Sequence, residues 1–247
     1  MTERVATGIA GLDEMLYGGF LPGSSVMVRG APGTGKTTLA LQFLYHGAAQ
    51  LGEPGLWISF EEFPQSIFRD AQSLGWDLHK LERAGLLHMA FTSPEVFLKS
   101  LETPDSPLMQ TILDKHIHRI ALDSINHFTR LTADSQALRH IYTAVVNGLK
   151  REGLTSLLLA EENRADALPV LRGRIAYIVD TILLLRYVEI ESAMQRALIV
   201  LKMRGSNHAK EIRRYEIARG GMVVRGAFQG QEGILSGSPR RTVVSGR

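Results

Sequence analysis

"GAPGTGKTT", residues 30–38, follows the apolar run "SSVMVRG" (24–30) and leads into the helical pattern "KTTLALQFLYHGAAQL" (36–51). The spacing is G-x-x-x-x-G-K-[ST], and a position between a strand and a helix is the context in which that spacing has a mechanism. Gly30, Gly33 and Gly35 let the backbone wrap closely, so consecutive N–H groups can point inward at phosphate oxygens. The helix N-terminus adds its positive end. Lys36 is placed to meet the outer phosphates, and the Thr37 hydroxyl to ligate Mg²⁺. The alternative, a Gly-rich turn with a chance GKT, lacks any explanation for the flanking strand and helix.

The same alternation continues along the chain. Strand-length apolar runs fall at 24–30, 55–61, 85–91, 118–124, 155–161, 180–188 and 196–203, while 36–51, 65–75, 94–102 and 135–153 repeat apolar residues at helical spacing. The strands are continuously apolar rather than alternating, which requires burial on both faces. The expected fold is therefore α/β, a mainly parallel twisted sheet flanked by helices. "TPDSPL" (103–108) reads as a turn-rich loop and "ENRADALPVLRGR" (162–174) as a longer one. The expected organisation is one domain over 1–229 and a Gly/Ser-rich basic tail over 230–247.

Composition narrows the classes of function. A formal net charge of +3 is too mild to argue for nucleic acid by itself, since about 6–10 phosphate contacts need a concentrated basic face. No apolar run approaches the roughly 20 residues of a membrane span. With no cysteine there is no thiol nucleophile and no thiolate metal site, and a cytoplasmic address is the expectation.

Hydrolysis needs more than a phosphate loop. "HRIALDS" (118–124) ends a buried strand in Asp123, where a Mg²⁺ shell can be completed through water; a helix cap is the other reading. "WISFEEFP" (57–64) ends another strand in Glu61 and Glu62, acceptors suited to holding an attacking water, or else a solvated turn. Glu161, in "LLLAEEN" (157–163), is either a γ-phosphate sensor or a surface charge. "LKMRGSNH" (201–208) then supplies Lys202 and Arg204 on one side of an extended run, with Gly205 turning the chain. A basic hairpin end is its plain alternative.

With the phosphate loop, "FEE", "LDS" and "LKMRGSNH" in this order, the chain resembles the KaiC family of RecA-fold ATPases. The opening "TGIAGLDEMLYGGFLPGSSVMVRGAPGTGKTT" (7–38) adds to the likeness. "DTILLLRYVEIESAMQRALIVLKMRGSNHAKEIRRYEI" (180–217) and "SGSPRRTVV" (236–244) resemble the second domain of the family's circadian-clock members. The resemblance implies a RecA-like P-loop NTPase that binds ATP and Mg²⁺ and assembles into homohexameric rings with ATP between neighbours. It implies phosphate contacts from Gly33, Thr34, Gly35, Lys36, Thr37 and Thr38. Thr37 and Glu61 fall near Mg²⁺, and Glu61–Glu62 is the water-activating pair. Arg196, Lys202, Met203, Arg204, Ser206 and His208 match residues that reach the nucleotide of the adjacent subunit, where a cation such as Arg204 can act as an arginine finger.

The chain also departs from that pattern. Clock members carry two fused domains; this sequence has room for one. Their autophosphorylated Ser-Thr pair reads Ala176 and Tyr177 here, which leaves serine/threonine autokinase activity unsupported. Leu74 stands near the place of the adenine-side Trp. Three functions compete: a ring-forming ATPase used in signalling or timing with a clock-type or signalling partner, a DNA-binding recombination paralogue, and a non-hydrolysing scaffold. Loop 162–174 offers Arg164, Arg172 and Arg174 but no aromatic to stack a base, which weighs against DNA; Glu61–Glu62 weigh against the scaffold.

Overall fold

Ser25–Gly30 forms strand β1, and all six of its residues are buried. The reason is its position between two parallel neighbours. The computed structural model describes residues 3–162, 174–229, 231–233 and 240–241. In chain order the elements are α1 (Leu12–Met15), β1, α2 (Lys36–His46), β2 (Gly55–Ser59), α3 (Pro64–Ser73), α4 (Leu78–Arg83), β3 (Leu87–Phe91), α5 (Pro94–Glu102), α6 (Pro107–Asp114), β4 (Arg119–Asp123), α7 (Ser135–Arg151) and β5 (Thr155–Glu161). The chain continues through β6 (Thr181–Ile190), β7 (Ala193–Met203), β8 (Arg213–Ala218) and β9 (Gly221–Ala227).

The nine strands lie in the order β3-β2-β4-β5-β1-β6-β7-β8-β9. From β3 to β6 the pairings are parallel, and β6 to β9 form an antiparallel meander. Along β1, Val26 and Val28 face a core shared with Leu39 and Phe43 of α2, while Met27 faces a second core with Phe97, Val145 and Leu149 of α5 and α7. Double-sided burial is what the unbroken apolar runs predict.

The largest differences from the sequence reading are short elements. The stretch read as a loop at 103–108 ends by starting a helix: Pro107 takes the first helical position, and the Ser106 hydroxyl accepts the Met109 N–H at 3.3 Å. Asp77 caps α4 in the same way, by way of the Lys80 N–H. The β8–β9 hairpin turns at Arg219–Gly220 and buries Tyr215 on β8 and Gly221, Met222 and Val224 on β9, without the unbroken apolar run by which the other strands were read. Residues 163–173 of the long loop lie outside the described residues, as do 230, 234–239 and 242–247 of the expected tail. Within that tail Gln231–Glu232 pairs antiparallel with Arg240–Arg241.

The N-terminal segment is pinned across the molecule. Asp13 accepts the Thr7 and Gly8 N–H groups at 2.8 and 3.1 Å, and the Ala10 carbonyl accepts the Val224 N–H at 2.9 Å. Between them Gly11 sits at φ +80°, where a Cβ would lie 2.2 Å from the Val224 carbonyl oxygen. Neither backbone can yield without losing the pairing. Gly11→Ala is expected to cost about 1–3 kcal/mol by overpacking alone, measured as a lowered midpoint of denaturant unfolding; an unchanged midpoint would show that the segment is not held as described.

Candidate nucleotide site

The phosphate loop runs from the end of β1 into α2, with Gly33 at φ 78° and Gly35 at φ 92°. Both are conformations that favour glycine. Lys36 is 7% exposed, and its Nζ donates to the carbonyls of Gly30 at 3.0 Å and Ala31 at 3.2 Å. Burial lowers its pKa, against the opposing pull of Glu161 and Asp123. An ammonium group satisfied by loop carbonyls can exchange them for phosphate oxygens with little movement of the backbone. The loop is also gripped from outside. The Tyr187 hydroxyl of β6 donates to the Gly33 carbonyl at 2.6 Å, and the Tyr215 hydroxyl of β8 donates to that of Thr34. Burial raises the Tyr215 pKa, so the phenol stays a donor.

Beside the loop, the Thr37 hydroxyl donates to Asp123 Oδ2 at 3.0 Å. Burial pushes the Asp123 carboxyl up to about 6; the Thr37 hydrogen bond and Lys36 oppose the rise, while Glu62 and Glu161 add to it. The peptide that follows, Asp123–Ser124, is cis. Among the described residues no three His, Asp or Glu side chains converge as a metal cage. A hydroxyl and one carboxylate nevertheless suit Mg²⁺, which keeps most of its waters and completes its shell from substrate phosphates. Glu61 is not gathered into this pair. Its Oε2 lies 3.0 Å from Nε2 of the buried His127. Glu62 is held at its N–H by the Ser59 hydroxyl at 3.0 Å, and its carboxylate accepts the Ser66 hydroxyl at 3.2 Å.

The KaiC ATPase family model matches residues 5–227. The chain belongs to the KaiC ATPase family. It is 39% identical over 242 residues to the circadian clock oscillator protein KaiC of Thermostichus vulcanus, covering 98% of this chain and 46% of that protein. Against the KaiC of Synechococcus elongatus the identity is 36% over the same span. The chain thus spans about half the length of the curated relatives it matches. The crystal structure of a KaiC-like protein from the archaeon Pyrococcus horikoshii OT3 superposes with a TM-score of 0.80 at 29% identity, covering 92% of this chain and all of that one. The RecA-like fold is shared.

In this KaiC-family chain the six residues matched to a neighbour's nucleotide do not lie together. Arg196 sits at the phosphate-loop end of the sheet, its guanidinium 5.5 Å from the Tyr187 ring centroid, and it lines a cavity of about 350 Å³ with Tyr187, Gln195 and Tyr215. Lys202, Met203, Arg204, Ser206 and His208 lie at the opposite end. There Lys202 Nζ donates to the carbonyls of Ala176 at 2.9 Å and Val179 at 2.7 Å, and Arg204 donates to those of Tyr177 and Ile178. Both cations therefore finish on one turn. Burial lowers the Lys202 pKa, as does the adjacent Arg204. Ser206 accepts a guanidinium N–H of Arg4 at 2.7 Å. His208 is buried, with Nδ1 on the Ala209 carbonyl and Nε2 beside Lys210. Leu74 ends α3, its carbonyl accepting the Gly220 N–H at 2.8 Å, while Trp76 is buried in a stack on Tyr45.

Four residues at the site carry no motif: Asn126, His127, Tyr187 and Tyr215. A buried phenol needs a partner for its hydroxyl, which is the one signal Tyr215 offered. Tyr215→Phe leaves the buried Thr34 carbonyl without its donor, and the expected cost is about 1–3 kcal/mol. Thermal unfolding would report it, together with faster amide exchange across residues 31–36; unaltered exchange there would mean the loop does not depend on the clamp.

Proposed function

We propose that the chain is a Mg²⁺-dependent ATPase that works as a ring of like subunits, each active centre being finished by the Lys202–His208 segment of the next copy. The supporting observation is the ladder register. Gly30, where the phosphate loop begins, pairs with Leu185, whereas Lys202 pairs with Ile182, which is level with Met27. The two lie about 10 Å apart along the strands and two strand spacings of ~4.8 Å across. Within one subunit the cations of 202–204 therefore face away from the phosphates held by Lys36. They serve a triphosphate only if it belongs to a neighbour.

In this reading the loop N–H groups of Gly33 to Thr38 and the Lys36 ammonium hold the phosphates. Thr37 and Asp123 hold Mg²⁺, which neutralises charge on the outer phosphates when bound. Glu61 and Glu62 accept hydrogen bonds from the attacking water and draw its proton away. Lys202 and Arg204 of the neighbour meet the charge that develops on the γ-phosphoryl oxygens. Met203, Ser206 and His208 line the approach; Arg196, next to Tyr187, acts from the side of the phosphate loop. A part in timing or signalling, with a protein partner, belongs to the same proposal, as does a cytoplasmic setting and the assignment of 230–247 as a tail outside the ATPase domain. Autokinase activity at 176–177 does not: Ala176 is buried and has no hydroxyl, and Tyr177 is a phenol, 62% exposed. No helix among the described residues is long and apolar enough to cross a membrane.

Light scattering with and without ATP·Mg²⁺, run beside phosphate release, tests the assembly: a larger particle and turnover should appear together, and a fully active monomer at high dilution would defeat the reading. Lys36→Ala is expected to abolish nucleotide binding. Glu61→Gln combined with Glu62→Gln should retain binding and lose turnover by about 10²-fold or more. Arg204→Ala subunits should be inactive alone and partly rescued by mixing with the double Gln variant, because some mixed contacts then pair an intact cradle with an intact cation. Absence of rescue in verified mixed rings would place Arg204 in its own subunit's site.

A further inference from the structure

Directly after Asp123 the chain turns through a 3₁₀ segment, Ile125–Arg130. Two consecutive side chains of this turn reach sideways to the strands that flank β4. Asn126 accepts the Glu161 N–H at 2.7 Å and donates to the Glu161 carbonyl at 3.4 Å, on the β5 side. His127 meets Glu61 at 3.0 Å, on the β2 side. One turn thus joins the ends of three adjacent strands, each carrying a carboxylate.

We propose that His127 is a positioning residue for hydrolysis, fixing the Glu61 carboxylate so that its second oxygen is presented to the attacking water. The inference rests on the ATPase reading above and names a residue that neither the phosphate-loop motif nor the strand-end carboxylates would single out. The Glu61 side chain is 67% exposed and stands beyond the end of β2, whereas that of His127 is 8% exposed. The imidazole is packed against Phe60, ring centroids 6.2 Å apart. The rigid partner therefore sets the position of the mobile one. An ionised carboxylate only accepts hydrogen bonds, so Nε2 carries the hydrogen in this contact. With Oε2 engaged, Oε1 is left to water. A solvent-exposed glutamate without such a tether spreads over its rotamers, and a displacement of about 1 Å is enough to slow a positioned reaction by up to about 10²-fold.

His127→Phe keeps the aromatic packing and removes the donor. It should lower kcat by about tenfold or more, with KM, nucleotide affinity and unfolding midpoint unchanged. His127→Gln, whose amide nitrogen can stand near the place of Nε2, should recover much of the rate; His127→Asn, one carbon shorter, should not. The Gln–Asn contrast remains decisive even if the Phe variant fails to fold. In a Glu61→Gln background His127→Phe should add no further loss, since the two act as one unit. Equal rates for the Gln and Asn variants, or an independent further loss in the Glu61→Gln background, would overturn the assignment. Full activity in the Glu61→Gln/Glu62→Gln protein would instead overturn the ATPase roles on which it rests.

Discussion

The parallel pairing of β1 between β5 and β6 is the constraint on which the rest depends. It buries both faces of "SSVMVRG", so the chain must leave the sheet abruptly at Gly30 and can re-enter the core only through a helix. The resulting loop leaves β1 beside the carboxyl ends of β2, β4 and β5, where Glu61, Asp123 and Glu161 emerge. A one-residue slip of β1 would send its alternating side chains into the wrong cores. Site and fold are therefore specified by the same apolar ladder.

Charge is handled differently at the two ends of that ladder. At the phosphate-loop end the carboxylates crowd around Asp123, whose carboxyl rises to about 6 because burial outweighs the help of Thr37 and Lys36. Such a group favours a cation nearby. At the other end Lys202 and Arg204 gather on the carbonyls of 176–179, while Lys150 and Asp180 pair at 2.7 Å. Both ends mix signs, with Lys36 among the carboxylates at one and Asp180 among the cations at the other, so each charge is met locally.

Much of this was legible in the sequence because it rests on local chemistry. The phosphate loop needs glycine at fixed places, and buried parallel strands need unbroken apolar runs, so β1, β2, β4, β5, β6 and β7 could be drawn to within a few residues. The capped helices α4 and α6 were missed because they are short and begin in Asp77 and Ser106–Pro107, residues that serve turns equally well. The clamps were missed for another reason. Tyr187 to Gly33, Tyr215 to Thr34 and His127 to Glu61 join residues 154, 181 and 66 positions apart, and no periodicity encodes such meetings. The separation of Arg196 from Lys202 could be foreseen only in part: six residues of extended chain span ~20 Å, yet which end faced the phosphates depended on a crossover that the register alone decides.

The β6–β7 ribbon touches both worlds. Near its tip Tyr187 grips the phosphate loop, and at its base Lys202 and Arg204 are tied to the carbonyls of residues 176–179. In a closed ring of the kind proposed, that two-stranded ladder becomes a strut between successive catalytic chambers. If the ring forms, a displacement of one loop would reach the cations at the base of the same ladder through its paired backbone. Communication around the circle would need no mobile lid and no separate relay domain, only the stiffness of paired backbone.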